Sequence, residues 1–184
     1  MNTKRIYQWL AMICIAAGIA RIGMTPTSII WGTDSVQELI FGYIACVLMS
    51  VGTLVLFTVQ ARETGILGFI SILGMIIGNI LTTALLFTAF IPNIEELAGD
   101  SLAAAITGMA SMIGLTGGTI LYTILTFRAK VFPRWAAALH VLMLLSAFLP
   151  VEDNKYFAFF WGLSYVGAGL CIWMGKLTPR AQTA

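Results

Sequence analysis

The chain has 184 residues, of which 59% are apolar and 10% charged, with a formal net charge of +2 and a mean hydropathy of +0.94. So little charge cannot coat a soluble domain, in which about a quarter of residues are ionic, and the apolar runs are far too long for the strands of a transmembrane β-barrel. Lipid is therefore the expected solvent, and the helix is the element that spans it with its backbone groups paired.

Six apolar runs approach the roughly twenty residues needed to cross about 30 Å of hydrocarbon. The first, Ile6 to Ile22, follows Lys4 and Arg5 and carries Arg21 near its far end, with Pro26 expected to end the helix. Lys4-Arg5, a short apolar segment and Gly18-Ile19-Ala20 also fit a secretory signal peptide. However, Gln8 interrupts the segment and the apolar character continues to Trp31, so a retained helix is the reading adopted. Arg21 is placed to snorkel outward or to pair with Asp34, Glu38 or an acid between Glu95 and Asp100.

The second run, Val36 to Val59, opens on Asp34-Ser35, and Ser35 with Glu38 has the spacing of a capping box. The third, Thr64 to Ile91, contains GMIIG (Gly74 to Gly78) followed by Asn79 and Thr82-Thr83. The fourth, Leu102 to Phe127, contains Ser111, GLTGG (Gly114 to Gly118) and Thr119. Small residues four apart let helix backbones approach closely in lipid, so helices three and four are expected to be central partners. An amide at Asn79 needs several hydrogen-bond partners and marks either an interhelical clasp or a ligand contact. Ser111 and Thr119 belong to a set of hydroxyls that either pack between helices or line a cavity.

The loop RAKVFPRW (Arg128 to Trp135) leads into the fifth run, Trp135 to Leu149, which holds His140, the only histidine. Ala136, Ala137, Met143, Leu144 and Ala147 share its helix face, so the ring is expected to point into the bundle. There it either satisfies a neighbour as a neutral imidazole or meets a polar ligand. The sixth run, Tyr156 to Gly175, has Ala158 and Gly162 four apart, with Trp161 and Tyr165 deep enough to face a cavity. Trp9, Trp31, Trp135 and Trp173 lie near span ends, where amphipathic rings anchor at the headgroups. Cys14, Cys46 and Cys171 fall inside spans without metal-ligand spacing and read as packing residues, so neither metal nor cofactor is expected.

With the N-terminus in the cytoplasm, Lys4, Arg5, Arg62, Arg128, Lys130, Arg134, Lys176 and Arg180 all lie inside and only Arg21 and Lys155 outside. That bias orients a six-helix bundle with both termini cytoplasmic. Shifting the chain by 66 residues superposes Pro26 on Pro92, Asp34-Ser35 on Asp100-Ser101, Gly42 on Gly108, Gly52-Thr53 on Gly118-Thr119 and Arg62 on Arg128. A pseudo-repeat of helical hairpins is the expectation, with a shorter third copy using Pro150 and Gly162.

The R…PRW loop, followed by an alanine-rich penultimate helix, resembles small uncharacterised six-helix proteins of the bacterial plasma membrane, of domain-of-unknown-function type. The resemblance implies that location and no activity. An intramembrane serine protease of rhomboid type does not fit, because the fourth helix reads GMASMIG and the histidine falls on the fifth. With no nucleophile–base pair and no paired carboxylates, no enzyme is expected. Acidic outer loops exclude nucleic acid as an outside partner. The single domain, 1–184, is expected to bind an apolar or amphipathic small molecule in the bilayer, or to serve as an accessory subunit of a membrane complex. The alternative is a small-molecule transporter or transporter half acting as a homodimer. Candidate polar or ligand-binding residues are Arg21, Glu38, Asn79, Ser111, Thr119, His140, Trp161 and Tyr165.

Overall fold

The computed structural model describes residues 3–91, 101–150 and 156–178. Within them the chain forms six helices and no strand. They are α1 (Thr3–Trp31), α2 (Val36–Thr58), α3 (Ala61–Thr88), α4 (Leu102–Ala129), α5 (Arg134–Ser146) and α6 (Tyr156–Trp173). All but α5 are long and apolar enough to cross a membrane, as expected of a multi-pass protein. α5 falls short of the fifth span read from the sequence, Trp135 to Leu149: its 13 residues reach about 20 Å at ~1.5 Å per residue.

Several boundaries need correction. α1 extends nine residues past Ile22 to Trp31, and Pro26 lies inside it instead of ending it. Proline removes one amide from the ladder without forbidding a helix whose neighbours re-satisfy the freed groups in lipid. Here Thr27 Oγ1 donates to the Gly23 and Met24 carbonyls, both at 2.9 Å. α3 starts at Ala61, but Gly65 (φ 54°, ψ −143°) breaks its first turn, so regular helix begins about where the apolar pattern placed it. α3 ends at Thr88, and Pro92, Glu95, Glu96 and Asp100 lie outside the described residues, as do Glu152, Asp153, Lys155 and Arg180.

Ser35 caps α2 as its spacing predicts: its hydroxyl accepts from the Glu38 amide at 3.4 Å. Glu38 Oε2 reaches back one residue further than a standard capping box, to the Asp34 amide at 2.8 Å. Ser101 stands at the equivalent position of α4 but makes no side-chain cap.

Consecutive helices run antiparallel, and small residues set how closely they approach. On α1, Ala11, Cys14, Ala17 and Gly18 form a narrow seam with α2 on one side and α6 on the other. A Cβ on Gly52 of α2 would lie 2.9 Å from Cys14 Cα, and one on Gly169 of α6 would lie 3.0 Å from the Ala11 carbonyl oxygen. Gly18 and Gly162 face each other directly across α1 and α6. The GMIIG and GLTGG motifs pair α3 with α4: Gly74 meets Gly114, Gly78 meets Leu115, and Gly118 meets Ser71. That pairing was expected, but its central position was not observed. Only 17% of the α4 span is buried, against 56% of α6, so the core is organised around α1 and α6.

One end of the bundle gathers the start of α1, the end of α2 and the end of α6, where Lys4, Thr58 and Trp173 border one cavity of about 670 Å³. The Thr178 amide donates to the Val131 carbonyl at 3.0 Å, tying the segment after α6 to the α4–α5 loop.

Candidate functional site in the α4–α5–α6 cleft

The shortness of α5 creates the main feature at the opposite end. α5 stops at Ser146 while α4 spans 28 residues, so the Leu102 end of α4 extends past the end of α5. The space left between α4, α5 and α6 is a cleft of about 660 Å³, within the 300–1,000 Å³ range of small-molecule sites. Met112, Leu115, Thr116 and Thr119 of α4, Met143 of α5, Phe148 just after it, and Phe157 and Trp161 of α6 form its walls. Among the described residues, none that is charged lines it.

The α4 wall is itself irregular. Residues Ile113–Gly117 form a π-helical segment between two α-helical stretches. A single π-turn widens the helix and recurs at functional sites. Gly114 within it and Gly118 just after it take close contacts with α3, while Leu115 and Thr116 also line the cleft.

Two polar groups in these walls have no partner: Trp161 Nε1 and Thr119 Oγ1. Their residues are only 4% and 5% exposed, and an unpaired buried donor typically costs about 1–3 kcal/mol. Arg21 approaches Trp161 from α1, with its guanidinium carbon 4.2 Å from the ring centroid and Nη1 donating to Cys46 Sγ at 3.9 Å. It forms no ion pair with Glu38, whose carboxylate caps α2. Arg21 is partly exposed, and a cation over an indole face is worth about 0.5–2 kcal/mol, which favours this placement.

The other candidates are dispersed. Asn79 is fully buried, but its Nδ2 donates to the Met75 carbonyl of its own helix at 2.9 Å and Oδ1 is unpaired. The clasp between α3 and α4 is made instead by Ser111, whose hydroxyl lies 2.6 Å from Thr82 Oγ1 and donates to the Gly78 carbonyl at 3.2 Å. His140 does point into the bundle, its ring tilted at 58° against Tyr122 with centroids 5.2 Å apart. Its Nδ1 lies 3.1 Å from the Ala136 carbonyl of its own helix, and Nε2 has no partner. The Tyr165 hydroxyl does not reach the cleft; it lies 2.7 Å from Thr53 Oγ1 and joins α6 to α2. Thus Thr119 and Trp161 share the cleft, Arg21 reaches it through Trp161, and Glu38, Asn79, Ser111, His140 and Tyr165 stand elsewhere.

Some interior polar residues escaped sequence reasoning. Gln60, in the α2–α3 turn, is 2% exposed and donates from Nε2 to Thr126 Oγ1 at 3.1 Å. A glutamine beside Arg62 and Glu63 reads as loop surface, and nothing local reveals that α4 covers it. Cys14, Cys46 and Cys171 are buried and unpaired. Among the described residues, no group of three or more His, Cys, Asp or Glu could hold a metal ion.

Comparison with protein-family models, curated proteins and solved structures gives no match to this chain.

Proposed function

We propose that this multi-pass membrane protein is a non-enzymatic binding protein that takes an apolar or amphipathic small molecule into the α4–α5–α6 cleft from the bilayer. The observation carrying this reading is the cleft itself: a largely apolar space of about 660 Å³ whose walls contain two unpaired buried polar groups. Specific sites share that combination of apolar surface and a few fixed polar groups. Met112 and Met143 supply side chains that adapt to a guest.

The transporter reading receives less support. Asn79 and His140, the residues that would mark a polar central path, bond back to their own helices and do not line the cleft. Both termini are assigned to the cytoplasm. The supporting observation is that Lys4, Arg5, Arg62, Arg128, Lys130, Arg134 and Lys176 are exposed on segments at one end of the bundle. The hairpin pseudo-repeat is supported by Gly52 and Gly118, each of which takes the close contact with the preceding helix of its own pair. Assignment to a bacterial plasma membrane rests on the R…PRW resemblance.

Native mass spectrometry from mild detergent tests the binding reading. The wild type is expected to carry a small molecule that stabilises it, and Ala147→Trp, which fills the cleft from the end of α5, is expected to lose the molecule while staying folded. Equal retention by both proteins would refute the cleft as the site.

A further inference from the structure

The chemistry of the walls narrows what the cleft accepts. Resting on the binding reading above, we infer that the ligand is a neutral amphiphile presenting a carbonyl-type hydrogen-bond acceptor to Trp161 and Thr119. Trp161 Nε1 donates and cannot accept; the Thr119 hydroxyl can do either. Neither has a partner in the protein. A ligand acceptor satisfies the indole N–H and can also accept from the hydroxyl, whereas a ligand with only donors leaves the indole unpaired.

Charge argues in the same direction. Among the described residues, no Lys, Arg, Asp or Glu borders the cleft, so an ionic headgroup held by these walls would lose its hydration without a counter-ion from them. Arg21 does not supply one, because its guanidinium stacks on Trp161 and is not among the lining residues. The two unpaired atoms are buried although their residues line the cleft, so the guest must displace neighbouring atoms to reach them. Met112 and Met143 are the flexible wall side chains suited to that movement. Phe148, Phe157 and the Trp161 ring then receive the apolar body.

The test compares three straight-chain probes of equal carbon number on the full-length protein in nonionic detergent: tridecane, methyl undecyl ketone and tridecanoate. Dissociation constants are read by native mass spectrometry at matched micellar mole fractions. The ketone is expected to bind roughly three- to tenfold more tightly than the alkane, the gain from one or two net hydrogen bonds. Thr119→Val keeps the wall's shape and is expected to remove much of that preference while leaving alkane affinity unchanged. Trp161→Phe should do the same, and if it fails to fold, Thr119→Val decides alone. Equal binding of ketone and alkane, a ketone preference that survives Thr119→Val, or tightest binding of tridecanoate each overturns the inference while the cleft remains a binding site. Failure of all three probes to bind the wild type more tightly than Ala147→Trp overturns both readings.

Discussion

Replacing Gly162 by Ala probes the contact on which the core depends. A Cβ at that position would collide with the Gly18 carbonyl and lie 2.7 Å from Ile22 Cγ1 and 2.8 Å from Ile22 N, where ordinary contact is 3.4–4 Å. Two of the three obstacles are backbone of α1, which no side-chain rotation can move, so the helices must separate by about 0.5–1 Å. Such a gap forfeits roughly a quarter to a half of each atom pair's ~0.1–0.2 kcal/mol. Over a seam holding roughly as many atom pairs as one large buried side chain, about forty to sixty, the loss is about 1–6 kcal/mol. Alanine recovers up to about 1 kcal/mol in helix propensity, so a net loss of roughly 2 kcal/mol, with an upper limit of about 5, is expected. Gly108→Ala is the matched control: it is also helical, but nothing lies within 4 Å of the added atom, and it should be neutral or stabilising by up to about 1 kcal/mol. Both free energies can be read from reversible unfolding in mixed micelles of nonionic detergent and dodecyl sulfate. If the two variants are equally stable, close approach of α1 and α6 does not hold the core together and the reasoning fails.

Three further substitutions test other features. Lys130 closes α4 with φ 55°, a left-handed conformation that costs a side-chain-bearing residue about 1 kcal/mol; Lys130→Gly should raise the unfolding free energy by up to that amount, and a decrease would show that the lysine side chain matters. Ser111→Ala removes the hydroxyl that joins α4 to Thr82 and the Gly78 carbonyl and should cost about 1 kcal/mol in the same assay; no change would mean Thr82 satisfies itself within α3. Asn79→Leu deletes a buried amide whose Oδ1 is unpaired, so stability should be unchanged or rise by up to about 2 kcal/mol, and a loss above about 1 kcal/mol would reveal a partner for the amide.

Much of this was readable in the sequence because the relevant signals are local. A twenty-residue apolar run becomes a helix in lipid whatever it touches, and Ser35 followed three residues later by Glu38 carries its cap within one turn. The π segment at Ile113–Gly117 was not readable. GLTGG is equally compatible with regular helix, and the wider turn depends on how Gly114 and Gly118 seat against α3. Pro26 misled because its usual role as a terminator is a prior from water, where freed carbonyls are solvated outside the helix. The partner of Arg21 was not readable for a related reason: the aromatic face over which its guanidinium lies comes from a residue 140 positions away, Trp161. The cleft was legible only in part. The sequence marks Thr119 as a hydroxyl that packs or lines a cavity and Trp161 as deep enough to face one, but that they border the same cleft depends on where α5 stops, a boundary the apolar run placed three residues too late.

The small-residue seam and the cleft are parts of one arrangement. Gly18 and Arg21 are three residues apart on α1, so they share a face about one turn apart. Trp161 adjoins Gly162 on α6. Because Gly18 and Gly162 allow the two backbones to touch, the guanidinium on the next turn of α1 reaches the indole. A bulkier residue at either glycine would push the helices apart, lengthening the 4.2 Å stack and withdrawing the support behind one wall of the cleft. Arg21 therefore acts on the site through Trp161: it occupies the indole from the α1 side and helps fix the orientation in which Nε1 stays buried and unpaired. The composition of α1, with Ala11, Cys14, Ala17 and Gly18 along one stripe, thus sets both how tightly the core closes and how the most distinctive wall residue of the cleft is presented.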